Sequence, residues 1–248
     1  MTSRITRRRK PLVAAGCGIA LALGAGGARA DSSGMDWLGI VYLWAADISV
    51  DTRDVNLDVD FSDTIDKLEM GFQGRVEAQG DDFGGFVDVS FMGVGNNNNL
   101  PNVHLSSDLD MTAIDLAMVW SPGPERITGF EAYGGLRYID TDFHLVVDPE
   151  PPALPTVETG INTTYTDFLL GARYGMPLNE HWRLGFGGDL SEGETEGTWG
   201  LYAFGSYVTG PHHFYVGYKH VEMDLKGSTG ESVTETYSGP AIAYGFSF

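Results

Sequence analysis

The chain has 248 residues, of which 42% are hydrophobic and 20% charged, and its 34 acidic side chains outnumber its 15 basic ones, giving a formal net charge of −19. This acidic balance excludes nucleic acid as a partner, because nucleic-acid binding needs a basic face. A single cysteine, Cys17, excludes an internal disulfide and a paired-cysteine redox or zinc motif.

Residues 1–30 have the three parts of a secretory signal peptide. A basic start, "RITRRRK", precedes an apolar segment too short to span a bilayer, and "ARA" at 28–30 is a small-residue cleavage site. A lipoprotein signal with Cys17 as the modified residue is the alternative, but the apolar run continues well past Cys17. Removing residues 1–30 takes away six basic and no acidic residues, so 9 basic and 34 acidic residues remain, a net charge of −25.

Beyond Asp31 no apolar run approaches the ~18 residues that a membrane helix needs, and the dominant period is two. In "TDFLLGARYGM" the larger apolar residues alternate with polar or small ones. Successive side chains on a strand point to opposite faces. The pattern predicts ten strands, over residues 38–50, 70–79, 83–94, 108–120, 129–142, 164–176, 182–191, 197–208, 213–224 and 234–248.

The connections between these strands alternate in length. The short ones cover residues 80–82, 121–128, 177–181 and 209–212, and the longer ones cover 51–69, 95–107, 143–163 and 225–233. An exported chain with strands of this length can cross a membrane only as a closed barrel, because a bilayer offers no partner to unpaired backbone groups. We predict an all-β, closed, antiparallel up-and-down transmembrane β-barrel over residues 31–248. Ten strands are expected, with eight as the alternative, and the short turns and both termini lie on the periplasmic side.

Alternation alone does not say which face is lumenal, since a soluble ligand-carrying barrel turns its apolar face inward. Aromatic residues near the short turns, such as Trp120 and Trp182, favour lipid on the outside, because an interfacial girdle belongs there. The polar face would then line a narrow lumen, where buried charges must be paired. We expect a lumen filled by such pairs, with a narrow aqueous path as the alternative. The predicted lumen-facing charged residues are Arg75, Glu77, Asp88, Asp115, Glu131, Arg137, Asp167, Arg173, Arg183, Asp189 and Lys219.

The first long connection contains "FSDTIDKLEM", in which Phe61, Ile65 and Leu68 recur at helical spacing. We predict one or two helical turns there, packed on the barrel mouth. The long connections are also acidic, as in "DVNLDVDFSD", but the EF-hand spacing is absent. They predict weak, nonspecific binding of divalent cations and no defined metal site. "GNNNN" at 95–99 is predicted to be a flexible loop tip.

The chain ends on "IAYGFSF", with Tyr244, Phe246 and Phe248 spaced two apart. This ending resembles the C-terminal aromatic signal by which the barrel-assembly machinery recognises its clients. Together with "FVDVSFMG", "YGGLRY" and "LLGARYGMPLNEHW", it resembles uncharacterised barrels of the broad outer membrane protein A and opacity-porin group. The resemblance implies the cell outer membrane of a Gram-negative bacterium, with outer-membrane lipid, lipopolysaccharide and the assembly machinery as partners. It implies no activity.

Histidine is the residue type to examine for catalysis, because general-base chemistry needs a histidine within hydrogen-bond reach of its partner. Three of the six histidines fall beside short turns, and the outer-side ones are His104, His144 and His220. The sequence brings none of them to a nucleophile, so we expect no enzyme and no cofactor. We expect a structural or surface-interaction role, or limited passage of small solutes. The alternative is a narrow cation-preferring porin, and a hydrolase is the remaining hypothesis.

Overall fold

The computed structural model describes residues 34–51, 56–59, 68–100, 103–123, 128–149, 156–226 and 232–248. All regular structure in these ranges is β-strand, and none of them forms a helix long and apolar enough to cross a membrane. The strands are β1 (Asp36–Trp44), β2 (Asp47–Asp51), β3 (Asn56–Val59), β4 (Leu68–Gln79), β5 (Phe83–Leu100), β6 (Val103–Trp120), β7 (Gly129–Pro149), β8 (Val157–Pro177), β9 (Trp182–Gly193), β10 (Gly197–Thr209), β11 (His212–Lys226) and β12 (Ser232–Ser247).

Within the described ranges, ten of these strands close into one antiparallel barrel. β1 pairs with β4, strands β4 to β12 follow in chain order, and β12 returns to β1. The closing register places Leu38 opposite Ser247 and Trp44 opposite Ala241. A closed sheet has no edge with unpaired N–H and C=O groups, which is the condition for crossing a bilayer with strands. The ten-stranded prediction is confirmed, and the eight-stranded alternative is wrong.

The first predicted strand, over 38–50, is interrupted. β1 ends at Trp44, and β2 continues the pairing with β12 and forms a hairpin with β3. Gly239 of β12 passes so close to the break that a Cβ atom there would lie 1.9 Å from the carbonyl oxygen of Ala45. Glycine therefore permits the irregular approach of the two strands at this point.

The predicted helical turns in "FSDTIDKLEM" lie, up to residue 67, outside the described residues. The last three positions of that motif, Leu68–Met70, are the start of β4.

Strands β5 to β8 are longer than predicted. The prediction of loops over 95–107 and 143–163 is therefore largely wrong. β5 and β6 stay paired as far as Leu100 and Val103, and β7 and β8 as far as Val147 and Val157. The loop tip predicted at 95–99 is strand as well. Asparagine is poor in strands, but residues 95–100 pair in register with β6. Pairing with the next strand outweighs local propensity here.

The outer wall carries an apolar band. On β8, Phe168, Leu170 and Tyr174 point outward and are 76%, 63% and 42% exposed. The outward apolar run from Phe168 to Met176 extends about 26 Å along the strand at ~3.3 Å per residue. At a tilt of ~40° this is about 20 Å of depth, of the order of the ~25 Å band of outer-membrane barrels.

Aromatic rings gather at the short-turn end of this band. Trp182 packs edge-on against Tyr207, with ring centroids 5.2 Å apart. Trp37 stacks on the terminal Phe248 at 6.3 Å. Rings at this level form the girdle with which a membrane barrel meets an interface.

We predict that Leu170→Arg lowers the free energy of folding into phospholipid vesicles by about 2–4 kcal/mol, because it places a charge near the middle of the apolar band. Thr164→Arg is the matched control, since Thr164 is exposed on the same strand beyond the band. Heat-modifiable gel migration across a urea series measures both. Equal losses for the two variants would contradict an outer wall in lipid.

Candidate functional site in the barrel lumen

Arg173 carries an ion pair across the lumen, toward the short-turn end. It projects from β8 and pairs with Glu77 on β4, four strand positions away around the ten-stranded barrel. Its Nε atom also lies 2.5 Å from Oε2 of Glu131 on the adjacent β7. Glu77 and Glu131 are only 2% and 1% exposed. The guanidinium therefore neutralises one buried carboxylate from the adjacent strand and one from across the lumen.

Arg137 makes a second set of bridges. Its Nη2 atom lies 2.8 Å from Asp115 Oδ2 on β6 and 2.9 Å from Asp189 Oδ1 on β9. Its Nη1 atom donates to Thr198 Oγ1 on β10 at 2.9 Å. One guanidinium thus ties β7 to three other strands.

Arg75 and Asp88 form the third pair, on neighbouring strands, with Nε and Oδ2 2.8 Å apart. Tyr42 of β1 donates its hydroxyl to Asp88 at 2.7 Å. The guanidinium of Arg75 also lies over the ring of Phe86, 4.0 Å from its centroid. The charges of this pair are therefore met by an aromatic face and a hydroxyl as well as by each other.

Three of the predicted residues enter no ion pair in the described part of the chain. Asp167 accepts hydrogen bonds from Ser191 Oγ at 3.1 Å and Thr195 Oγ1 at 2.5 Å, so it organises the turn between β9 and β10. The Lys219 ammonium lies 4.7 Å from the Trp44 ring, a cation–π contact. Arg183 is half-buried at the short-turn end of β9.

An apolar cluster, here called the loop-side plug, fills the lumen on the side of the long connections. Ile139 and Tyr237 at its centre are 0% exposed. The Tyr165 hydroxyl reaches from β8 to the Lys226 carbonyl on β11 at 2.8 Å. The plug consists of Trp44, Ala46, Ile48, Met92, Met111, Ile139, Tyr165, Met223, Leu225, Tyr237 and Ala241. Because these residues come from all around the barrel, they meet across the lumen.

Four aromatic residues that were not predicted to face the lumen also lie in it: Tyr42, Trp44, Tyr165 and Tyr237. The period of two is the sequence feature that could have predicted this, since Tyr42 and Trp44 alternate with the outward Val41 and Leu43. Large aromatics are expected on the lipid face, and period alone does not distinguish the two faces.

A cavity of about 230 Å³ remains in the lumen, lined by the ion pairs and by plug residues such as Trp44 and Met92. This volume corresponds to a handful of water molecules. It is bounded by side chains that contact one another across the barrel. This cavity, here called the chamber, is partly open, and the charged groups that line it neutralise one another.

The described part of the acidic connections shows local hydrogen bonding. Glu194 accepts from the Thr166 backbone N–H at 2.7 Å, and Glu196 accepts from Ser232 Oγ at 2.6 Å. Among the described residues, no three His, Cys, Asp or Glu side chains come together as a metal site. The acidic segments at 52–55 and 60–67 lie outside those residues.

Comparison with known proteins locates the fold. No family model matches the chain, and no curated protein matches it. Among solved structures, the outer membrane protease OmpT of Escherichia coli gives a TM-score of 0.53 at 9% identity, covering 87% of this chain and 97% of that one. Ail, the attachment invasion locus protein of Yersinia pestis, gives 0.41 at 12% identity, with 87% and 99% covered. Neisserial surface protein A gives 0.33 at 14% identity, with 85% and 96% covered.

The closed ten-stranded barrel, its apolar outer band and its charged lumen together define a β-barrel of the outer-membrane class. The similarity to OmpT agrees with this class at the level of the fold.

We predict that Arg173→Met lowers the free energy of unfolding by about 3–5 kcal/mol, because Glu77 and Glu131 would be left as buried, unpaired carboxylates. Arg183→Met is the control, and a loss below about 1 kcal/mol is expected because no buried pair is broken. Urea unfolding in detergent micelles, followed by tryptophan fluorescence, measures both. Similar losses for the two variants would show that Arg173 does not hold the lumen together.

Proposed function

We propose that the protein is a non-conducting barrel of the bacterial outer membrane that displays a rigid acidic platform at the cell surface. The observation that carries this proposal is the closure of the lumen. Arg173 and Glu77 meet across it toward the short-turn end, and the loop-side plug fills it on the side of the long connections. A barrel closed in this way presents its surfaces to partners and transports little.

An ion crossing the lumen would have to separate these pairs. Breaking a buried ion pair costs about 3–5 kcal/mol, and each 1.4 kcal/mol is a factor of ten, so passage would be slowed by roughly 10²-fold to 4 × 10³-fold. The chamber is lined by five acidic and five basic side chains, which gives it no net charge. The balance disfavours the narrow cation-preferring porin, because selectivity for cations needs an excess of negative groups.

The platform is the part of β5 to β8 beyond the apolar band. Among the side chains of β7 that the structure describes, the last exposed apolar one is Tyr138, and the strand continues to Pro149, about 35 Å further along the chain at ~3.3 Å per residue. Residues 95–110 and 139–163 contain seven acidic residues and no lysine or arginine. Such a surface suits a cationic partner, either a basic protein segment or divalent cations shared with lipopolysaccharide.

The C-terminal strand supports a role in assembly. Tyr244 and Phe248 on the outer wall are 39% and 40% exposed, and Phe246 between them is half-buried. We propose that these rings are read by the barrel-assembly machinery before β12 pairs with β1. On the same "YGFSF" ending we propose membership of the outer membrane protein A and opacity-porin group.

Planar-bilayer recording tests the closure. The purified barrel is expected to be electrically silent, and so is a variant with residues 52–67 replaced by a short Gly–Ser linker, because the closure lies in the lumen and not in that segment. A porin inserted from the same detergent is the positive control. Discrete conductance steps from both proteins would refute the proposed role. Steps from the linker variant alone would assign the closure to the 52–67 segment.

Cysteine labelling tests the display of the platform. We expect Asp142→Cys, on the exposed part of β7, to react with a membrane-impermeant maleimide in intact cells. Glu180→Cys, in the short turn between β8 and β9, is expected to react only after the outer membrane is permeabilised. The unsubstituted chain, whose one cysteine is Cys17, gives the background. The opposite labelling pattern would show that the barrel has the opposite orientation in the membrane. The platform would then not lie at the cell surface.

A further inference from the structure

A polar cluster lies on the outer wall at the loop-side limit of the apolar band. His220 on β11 and Ser238 on β12 are direct cross-strand neighbours, although 18 positions separate them in the sequence. His220 Nδ1 and Ser238 Oγ are 2.5 Å apart, and both residues are half-buried. In the tautomer with hydrogen on Nε2, the serine hydroxyl donates to Nδ1. This is the arrangement that activates a serine as a nucleophile.

The imidazole of His220 is held in place by its neighbours. The Trp199 ring lies 4.8 Å from it, and the Trp199 indole N–H donates to Glu222 Oε1 at 3.1 Å. Glu222 follows His220 by two positions, so it is on the same face of β11. Asp47 of β2 is the register partner of Ser238 on its other side. Carboxylate residues therefore neighbour the pair on β11 and on β2.

The depth of the pair matches the ester region of a lipid. On β11 the outward residues Val216 and Tyr218 are 59% and 53% exposed, and His220 is the next outward position. On β12 the outward Ile242 is 57% exposed, and Ser238 lies four positions further toward the loops. The pair thus sits where the apolar wall gives way to polar residues, at the boundary between acyl chains and headgroups.

An apolar groove leads away from this position. Leu201 of β10 is the register partner of His220 and lines one end of an outer-wall groove of about 860 Å³. The floor is made of small residues, and a Cβ atom at Gly188 would come within 2.6 Å of the Leu201 side chain. The floor residues are Ala132, Gly134, Ala172 and Gly188, and the sides include Met118, Leu170, Leu190 and Trp199. Since the groove lies within the apolar band, its occupant is an acyl chain.

We propose that Ser238 and His220 hydrolyse the ester of an acyl chain in an outer-leaflet lipid, with that chain in the groove. Ser238 Oγ attacks the ester carbonyl carbon and its proton passes to His220 Nδ1. The bond from the carbonyl carbon to the lipid alcohol oxygen breaks, and that oxygen takes the proton from His220. Water then attacks the acyl-serine with the same base, which releases the fatty acid and restores the hydroxyl. Water is the only co-reactant.

The experiment uses the folded barrel in mixed micelles with two substrates in separate arms: a glycerophospholipid with labelled acyl chains and purified lipopolysaccharide. Fatty-acid release is measured, together with covalent labelling of Ser238 by a fluorophosphonate, located by mass spectrometry. We expect Ser238→Ala and His220→Gln to lower release by at least ~10²-fold. Thr236→Ala, two positions away on the same face of β12 and opposite Glu222, is expected to keep it.

Release in one arm identifies the lipid and supports the proposal, provided that Ser238 carries the label. Heat-modifiable migration confirms that each variant is folded, and His220→Gln keeps a hydrogen-bonding side chain beside Ser238. If the wild-type barrel releases no fatty acid in either arm, or if Ser238→Ala releases it at the wild-type rate, the proposal is overturned. Neither result depends on bilayer conductance. The experiment therefore tests the proposed hydrolysis independently of the proposed closure of the lumen.

Discussion

The meeting of Arg173 with Glu77 and Glu131 is the interaction on which the rest of the structure depends. Two carboxylates that are 2% and 1% exposed would each cost several kcal/mol without a cation between them. A bridge of side-chain length requires a narrow lumen, and a narrow lumen requires small residues opposite large ones. At Gly171 a Cβ atom would lie 2.3 Å from the ring of Tyr133. Glycine at position 171 thus makes room for a lumenal ring.

Because side chains fill the lumen, the surfaces that can contact other molecules lie on the outside of the barrel. Two surfaces remain: the paired extension of β5 to β8, which is acidic, and the outer wall, which is apolar until His220 and Ser238. In the first, β6 and β7 are paired in register with a strand on each side. The second ends at the polar pair of His220 and Ser238, on which the proposed ester hydrolysis depends. The extension suits contact with soluble or surface partners, and the outer wall suits the membrane's own lipids.

The period of two predicted the barrel, because side chains alternate between lipid and lumen wherever the outer wall is apolar, as in the segment around Phe168 and Leu170. The prediction from this period failed where successive residues do not differ in polarity. The run at 95–99 is polar throughout, so its place in β5 follows from pairing with β6 and leaves no mark in the local sequence. Side-chain contacts between strands could not be predicted from the sequence either. The bond between His220 and Ser238, like the bridge from Arg173 to Glu77, depends on register and strand order around the closed barrel.

Fluorescence quenching by brominated lipids tests the orientation of the two walls most directly, because bromine quenches only rings that touch acyl chains. The chain has five tryptophans, of which Trp44 is 6% exposed in the lumen and Trp120 is 46% exposed on the outer wall. Two proteins are compared in brominated vesicles, each keeping one of these residues and carrying phenylalanine at the other four positions. Strong quenching of Trp120 with little change at Trp44 is the predicted result. Quenching of Trp44 equal to that of Trp120 would contradict a charged lumen enclosed by an apolar wall.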